Sequence, residues 1–428
     1  MGILLVLVFV LLLVIGVPIA FVIGIVSLLG IMTIPDLPEV IVPMKMVNGL
    51  DSFVLLAVPL FILAANIMNS GKISEKMIDL ALAIVGPLKG GLAQSNILVS
   101  MMFAGVSGAA QADTAGTGKV LIPSMLKNGY SKETSVGVTA ASSTIGVIIP
   151  PSIPMIIFAG IANASIGALF LGGIIPGILI GLAMMVFVYF LARKKNYPTS
   201  KKLAGKEITA KFLDALPALL TIVIIIGGIT SGIFTATESA AIASIYTFLI
   251  SMFYYKSLKL KDLPKIIFDT LALSSLSLFA LATASALGEL LSYYQLGTLA
   301  QDFFTDNIGS KWLFILLIIA FFLIIGTFMD AIPAMILFVP VILPAAAAFN
   351  IDPVHLGIIV VITLAIGLAT PPYGLCLLIA SKIGGLSVER SFVAVIPYLL
   401  IILAVLLLVA FVPSIIHFIP DLIGGNAE

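Results

Sequence analysis

Apolar residues run along this chain in long blocks. Residues 3–31, 212–233 and 312–325 are nearly free of charge, and roughly 20 consecutive apolar residues are enough to cross a bilayer as a helix. Two segments depart from the pattern. Residues 73–88, which open Ile73-Ser74-Glu75-Lys76-Met77-Ile78-Asp79, mix charged and apolar positions at helical spacing. That spacing predicts an amphipathic helix lying along the membrane interface rather than across it. Residues 294–309, with Gln301, Asp302 and Asp306, repeat this character. The pattern predicts an all-α polytopic membrane protein embedded in a lipid bilayer.

Composition supports this and narrows the chemistry. The 428 residues are 61% hydrophobic and 10% charged, with a mean hydropathy of +1.27, whereas soluble domains are about 45–50% apolar and about 25% charged. A net charge of +1 gives no footing for nucleic acid as a partner. Cys376 is the one cysteine and His355 and His417 the two histidines, which excludes a disulfide framework and a cysteine metal site. No glycine loop with a phosphate-binding lysine is present, nor any Ser/His/Asp or metal-hydrolase pattern, so neither ATP drive, a cofactor nor an enzyme is expected. The first apolar run lacks the charged start of a signal peptide and is too long for its apolar core.

Charge also sets the topology. Arg193, Lys194, Lys195, Lys201, Lys202 and Lys206 share one loop, and Lys256, Lys259, Lys261 and Lys265 another. Residues 230–238, between the two apolar segments that join these loops, hold no Lys or Arg. The positive-inside rule places both basic loops in the cytoplasm and the Glu238 turn outside. Such clusters can also bind anionic lipid, but topology is the simpler explanation.

The chain repeats itself. Ile145-Gly146-Val147-Ile148-Ile149-Pro150-Pro151 recurs 221 residues later as Ile366-Gly367-Leu368-Ala369-Thr370-Pro371-Pro372, with Pro123 meeting Pro344 and Ala159 meeting Ala380 at the same offset. At a nearby offset, Leu60-Phe61-x-Leu63-Ala64 recurs as Leu278-Phe279-x-Leu281-Ala282. Duplicated halves are a common construction of transporters.

The double prolines deprive a helix of four donors. Pro150 and Pro151 cannot serve the carbonyls of Gly146 and Val147, nor Pro371 and Pro372 those of Gly367 and Leu368. In hydrocarbon those carbonyls need another partner. A kink healed by side chains or water is one solution, and a broken helix that coordinates a cation is the other. Two breaks at equivalent places in two repeats favour the second. Before each break lies a polar patch between short apolar arms: residues 107–118, from Ser107 to Gly118, and residues 326–333, from Gly326 to Pro333. Each is expected to be a re-entrant hairpin with its tip at membrane depth. Asp113 and Asp330 are then intramembrane carboxylates, which mark functional sites by default; the simpler role is to cap a tip helix, and the two roles can coexist. Sodium, a hard cation, suits oxygen ligands. The tips offer hydroxyls and carbonyls, and Ser142, Ser143, Thr144 and Thr370 add more beside the breaks. Glu289 fits either a span or its edge. Lys119 could draw an anion to the first tip or snorkel to water.

Several of these motifs resemble one family. Ser107-Gly108-Ala109-Ala110-Gln111-Ala112-Asp113-Thr114, Val120-Leu121-Ile122-Pro123, Asn128-Gly129-Tyr130 and Ser143-Thr144-Ile145-Gly146-x-x-Ile149-Pro150-Pro151-Ser152-Ile153-Pro154 together resemble the large membrane (M) subunit of tripartite ATP-independent periplasmic (TRAP) transporters, along essentially the whole chain. The Gln111-Ala112-Asp113-Thr114 wording resembles the sialic-acid members. The resemblance implies an inverted-repeat elevator-type transporter with two re-entrant helical hairpins and two broken helices, in which a transport domain moves against a fixed scaffold. It implies sodium as the coupling ion, a small membrane (Q) subunit, a periplasmic substrate-binding (P) subunit and an organic-acid substrate. It carries a first sodium site to Ser107, Gly146, Ile149 and Pro151, and a second to Gly326, Thr327, Thr370 and Pro372. Asp113, Thr114, Asp330, Ser143 and Thr144 fall in the substrate or tip region. Relatives can carry serine where this chain has Ala109, so a ligand there is lost or replaced by backbone.

The expected division is a first scaffold part over 1–88 with the arm helix 73–88, and a first transport repeat over 89–195 with hairpin 89–128 and broken helix 133–160. A cytoplasmic basic loop and second scaffold part follow over 196–310, then a second transport repeat over 311–428 with hairpin 311–350 and broken helix 353–382. Lys89, Lys127 and Lys132 flank the first hairpin, so it enters from the cytoplasm and the second from the periplasm. The expected function is sodium-coupled import of a carboxylated solute, best a sialic acid, across the bacterial inner membrane. A stand-alone sodium/dicarboxylate symporter of related fold, an ion channel and an intramembrane enzyme are the competing readings. Whether residues 2–32 cross the membrane once is left open.

Overall fold

A computed structural model describes residues 2–34, 37–71, 73–200 and 202–422, apart from the side chains of residues 2, 3, 6, 14, 106 and 107. Every element among the described residues is a helix, and eight helices are long and apolar enough to cross a membrane. The first apolar block is two helices, α1 (Gly2–Val14) and α2 (Ile19–Met32). They part at Gly16, whose φ of +89° few side chains adopt, and at Pro18, which ends the turn. Neither helix alone has the length of a full span. A short helix α3 (Ile41–Leu50) leads to α4 (Ala57–Ser70) and to the arm helix α5 (Ile73–Val85). α5 keeps the predicted amphipathic character and stops three residues before the expected end, at the Gly86-Pro87 turn.

The first repeat then runs through α6 (Gly91–Ser107), α7 (Ala110–Lys127), α8 (Lys132–Ser143), α9 (Ile153–Ala162) and α10 (Ile166–Lys194). α11 (Gly205–Thr230), α12 (Ala236–Leu249), the long α13 (Leu263–Tyr293) and a second arm, α14 (Leu296–Asn307), follow. The second repeat holds α15 (Lys311–Phe328), α16 (Ala331–Ala348), α17 (Pro353–Gly367), α18 (Leu375–Gly384) and α19 (Val388–Phe411), closed by α20 (Ser414–Leu422). The 221-residue offset carries the start of α7 onto that of α16 and the start of α8 onto that of α17. Local chemistry starts these helices: Ser131 accepts from the Thr134 amide to cap α8, and Asp352 accepts from the His355 amide to cap α17.

The repeats interlock rather than stand side by side. α7 packs on α18 and α16 on α9, so each hairpin lies against the helix that follows the other repeat's break. α8 likewise packs on α19, and α10 on α17. The helices preceding the breaks form the core: every residue of α8 from Thr134 to Ser143 is buried, and of α17 from His355 to Gly367. Around this unit α13 packs on α2, α3 and α4, and α12 on α4. Outward faces remain apolar, as Phe268, Val186 and Val393 show, which suits hydrocarbon and not water. The arm α5 is tied to α11 by two ion pairs of opposite sense, Lys211 Nζ to Asp79 Oδ2 at 2.7 Å and Lys76 Nζ to Asp214 Oδ2 at 3.6 Å. Glu289, left open by the sequence, lies in α13 and pairs with Lys45 of α3 at 2.7 Å.

Candidate functional site

Each hairpin turns where two helices of 17 or 18 residues meet; the arms of the second, α15 and α16, are each long enough to cross a membrane, longer than the short arms expected from the sequence. Gly108, at φ +57°, makes the first turn, and a methyl group there would lie 2.8 Å from the Pro151 carbonyl oxygen. Only a glycine both turns the chain and lets the tip touch the break. At the second tip the contact is backbone to backbone. A methyl group on Gly367 would meet the Gly326 carbonyl oxygen at 2.5 Å and its Cα at 2.7 Å. Tyr373, just beyond the second break, donates its amide to the Thr327 carbonyl at 2.8 Å. Each tip therefore sits on its own repeat's break.

The breaks are not regular helices with missing donors. After α8 the chain makes a 3-10 turn over Thr144–Val147, and both Pro150-Pro151 and Pro371-Pro372 are cis. The Val147 carbonyl accepts the Ser152 hydroxyl at 2.5 Å, that of Gly367 the Thr370 amide at 2.9 Å, and that of Leu368 the Cys376 amide at 2.9 Å. Three of the four carbonyls expected to be free thus have one donor each, which leaves the second lone pair of each oxygen. No donor reaches the Gly146 carbonyl among the described backbone and side-chain bonds. The hydroxyls beside the breaks bond back to their own helices: Thr144 to Ala141, Ser143 to Thr139, Thr327 to Ile324, Thr370 to Ile366 and Thr114 to Ala110. Their oxygens remain available as acceptors. Ile149, Pro151, Gly326 and Pro372 bring backbone oxygens to the same two regions. The Ser107 backbone ends α6, and its side chain lies outside the described residues.

The two carboxylates differ. Asp330 is the N-cap of α16, with Oδ1 accepting the Ala331 amide at 2.9 Å. Gln111 of the other tip donates to the same oxygen at 3.4 Å, a long bond that brings the hairpins together. Asp113 caps nothing. It lies inside the first turn of α7, 1% exposed, and neither carboxyl oxygen has a hydrogen-bond partner. Cys376 is buried in α18.

Between the two tips and helices α4 and α13 is a cavity of 490 Å³. Its polar lining comes from Asn66 of α4, Gln111, Ser277 of α13, Asp330 and Tyr373, with Ala109 and Pro154 beside them. Asp330 and Tyr373 also line a neighbouring cavity that runs towards α1 and α2. Sequence reasoning placed Asp330 here but passed over Asn66, Ser277 and Tyr373. The one signal for Asn66 and Ser277 was their place beside the recurring Leu-Phe-x-Leu-Ala stretches. Asn66 is held by its amide, which donates to Thr270 at 3.0 Å. α7 begins at this cavity with no side chain capping it, so the helix end turned towards Ala109 and Gln111 carries the positive pole of its dipole.

Two hairpins seated on two broken helices in a duplicated, interlocked bundle define a membrane transport protein of inverted-repeat construction. Residues 6–415 match the profile described as tripartite ATP-independent periplasmic transporter, DctM component. The chain belongs to that family and is a transport permease rather than an enzyme. It is 35% identical to the C4-dicarboxylate TRAP transporter large permease protein DctM of Pseudomonas aeruginosa, over 89% of each chain. It is 37% identical to the sialic acid TRAP transporter large permease protein SiaM of Vibrio cholerae, again over 89% of each. It is 36% identical to the isethionate TRAP transporter permease protein DctMQ of Oleidesulfovibrio alaskensis, over 95% of this chain and 64% of the relative. Among solved structures, the YdaH transporter of Alcanivorax borkumensis shares the fold, with a TM-score of 0.62 at 14% identity over 86% of this chain and 87% of that one.

Proposed function

We propose that this chain is the large permease of a sodium-coupled uptake system in the bacterial inner membrane, importing an organic acid that a periplasmic binding protein delivers. The observation that carries the reading is the seating of each hairpin tip on its own proline break, which gathers backbone and hydroxyl oxygens at two places within the bundle. Ser107, Gly146, Ile149 and Pro151 would hold one sodium ion, and Gly326, Thr327, Thr370 and Pro372 another. Oxygen-only donor sets without a cluster of histidine or cysteine suit an alkali cation. The solute would occupy the cavity between the tips, its carboxylate drawn to the uncapped start of α7 and its remaining polar groups to Asp330 and Gln111. Relatives handle sialic acid, C4-dicarboxylates and isethionate by name, all acids. A sialic acid is the first candidate, on the wording of the first tip.

Movement follows from charge. A carboxylate exposed in hydrocarbon is costly, so the interlocked repeats would cross the membrane side of a static scaffold only when solute and sodium are bound together. The scaffold would comprise residues 1–88 and 196–310, and a small membrane subunit would widen it. The Oleidesulfovibrio alaskensis relative DctMQ, of whose length this chain spans 64%, supports a second membrane component.

Uptake of radiolabelled sialic acid and succinate into proteoliposomes tests the reading, with this chain and its small subunit reconstituted and the binding protein outside. The expected result is accumulation of one acid that needs both an inward sodium gradient and the binding protein. Sodium-dependent accumulation without the binding protein would replace this reading with a stand-alone symporter.

A further inference from the structure

We propose that Lys119 and Asn69 form a carboxylate-binding station between the solute cavity and the cytoplasm, where the imported acid is held as it leaves. The station rests on the uptake reading given above and adds a second place for the solute. The cavity itself offers an anion little. Among the described residues its lining holds the acid Asp330 and no Lys, Arg or His. A full positive charge lies further along α7.

One face of α7 stays open. Thr114, Thr117 and Leu121 are buried, whereas Ala112, Ala115 and Gly116 are half-buried and Lys119 is exposed. Ala112 lines the cavity. Lys119, seven residues on, falls within about 20° of it around a helix of 3.6 residues per turn, and about 10 Å further along the axis. The side chain of a helical residue leans towards the helix start, which here is the cavity end. No carboxylate pairs with Lys119 among the described residues.

Across the gap, α4 runs inwards beside α7. Thr237, in the turn placed outside, donates to the Phe53 carbonyl before α4. Gly71, just after α4, accepts from Ser257 of the second basic loop. Asn66 lines the cavity, and Asn69 lies one turn nearer the cytoplasm and is exposed. A methyl group on Gly116 would meet Asn69 Oδ1 at 3.8 Å and nothing else of the neighbouring helices within 4 Å. The gap therefore continues below the cavity, with Asn69 opposite the face that carries Lys119. Asn69 Oδ1 accepts the Ser74 hydroxyl at 3.0 Å, and its NH2 group donates to no protein atom among the described bonds. An ammonium and an amide NH2 offer donors only, which a carboxylate accepts. The competing use of such a lysine is to snorkel to water at the membrane edge.

The test is inhibition of uptake by acid already inside the proteoliposomes, with the small subunit present and the binding protein outside. The acid that the wild type accumulates, sialic acid or succinate, is used labelled outside and unlabelled inside. Internal acid should occupy the station and slow uptake. Lys119→Gln should raise the internal concentration for half inhibition about fivefold, and Lys119→Glu further. Lys119→Arg should restore the wild-type value. The concentration of loaded binding protein for half-maximal uptake should stay unchanged in all three. Added internal salt should weaken the inhibition of the wild type and leave that of Lys119→Gln as it is. A Lys119→Gln curve that superimposes on the wild type would overturn the station while leaving coupled uptake intact. Wild-type uptake indifferent to internal acid would overturn it as well. Equal losses in Lys119→Gln and Lys119→Arg would make the lysine a matter of packing and not of charge, against the proposal. If the wild type accumulates neither acid, the uptake reading falls and the station with it.

Discussion

Asp330 stands at two places that can be separated one atom at a time. Its Oδ1 caps α16 through the Ala331 amide, and it supplies the one carboxyl group among the described residues lining the 490 Å³ cavity. Asparagine is as good a cap as aspartate, whereas alanine in a cap position costs about 1 kcal/mol. Asp330→Ala should therefore lower the thermal unfolding midpoint and Asp330→Asn should hardly move it, while both slow solute uptake. An Asp330→Asn permease that transports at the wild-type rate would reduce Asp330 to a cap. Sequence reasoning offered both acids a helix cap and a functional site, two roles that can coexist. The structure divides them, because α16 starts at Asp330 whereas α7 starts three residues before Asp113 and leaves it inside the helix. Lone polar residues such as Asn66, Ser100 and Ser277 were not legible. In a membrane helix a single hydroxyl or amide most often bonds its own backbone, and nothing local tells which one faces a cavity.

The hairpin and the break are the elements on which the account turns, and they were the most legible part of the chain. A double proline has few helical uses, and its recurrence fixed both breaks. Unreadable in sequence was how differently the two tips meet their breaks. Gly146 and Gly367 occupy equivalent positions, yet a methyl group on Gly146 would find nothing nearer than 3.8 Å, whereas on Gly367 it would strike the backbone of Gly326 at 2.5 Å. Backbone cannot rotate aside as a side chain does, and overpacking of this kind costs roughly 1–3 kcal/mol or more. Gly367→Ala should separate the second tip from its break, lowering the unfolding midpoint and abolishing uptake. Gly146→Ala should fold with a midpoint near the wild type. Equal tolerance of both substitutions would contradict the packing described here. The α1–α2 break answers the question the sequence left open over residues 2–32, where one glycine and one proline inside an apolar block do not announce a turn as a proline pair does.

At the scale of the molecule, interlocking matters more than the duplication itself. Because α7 lies on α18 and α16 on α9, each repeat's hairpin is packed into the other repeat. In the elevator proposed for this chain, the two hairpins, two breaks and their oxygen clusters would move as one body against α13, α2, α3 and α4, which pack on one another. Fold class and the existence of two repeats could be read from blocks of hydrophobicity and a recurring motif. Interlocking could not, since it depends on contacts between apolar faces that look alike in sequence. The most direct test is a pair of distances measured by double electron–electron resonance in the working complex. Spin labels at Phe268→Cys on α13 and Val393→Cys on α19 report scaffold against core, while Val186→Cys with Val393→Cys reports the core against itself; Phe268, Val186 and Val393 are all exposed. The account predicts that the first distance changes when sodium and delivered solute replace N-methyl-D-glucamine and the second stays fixed. A first distance that stays constant while the complex transports solute would contradict it.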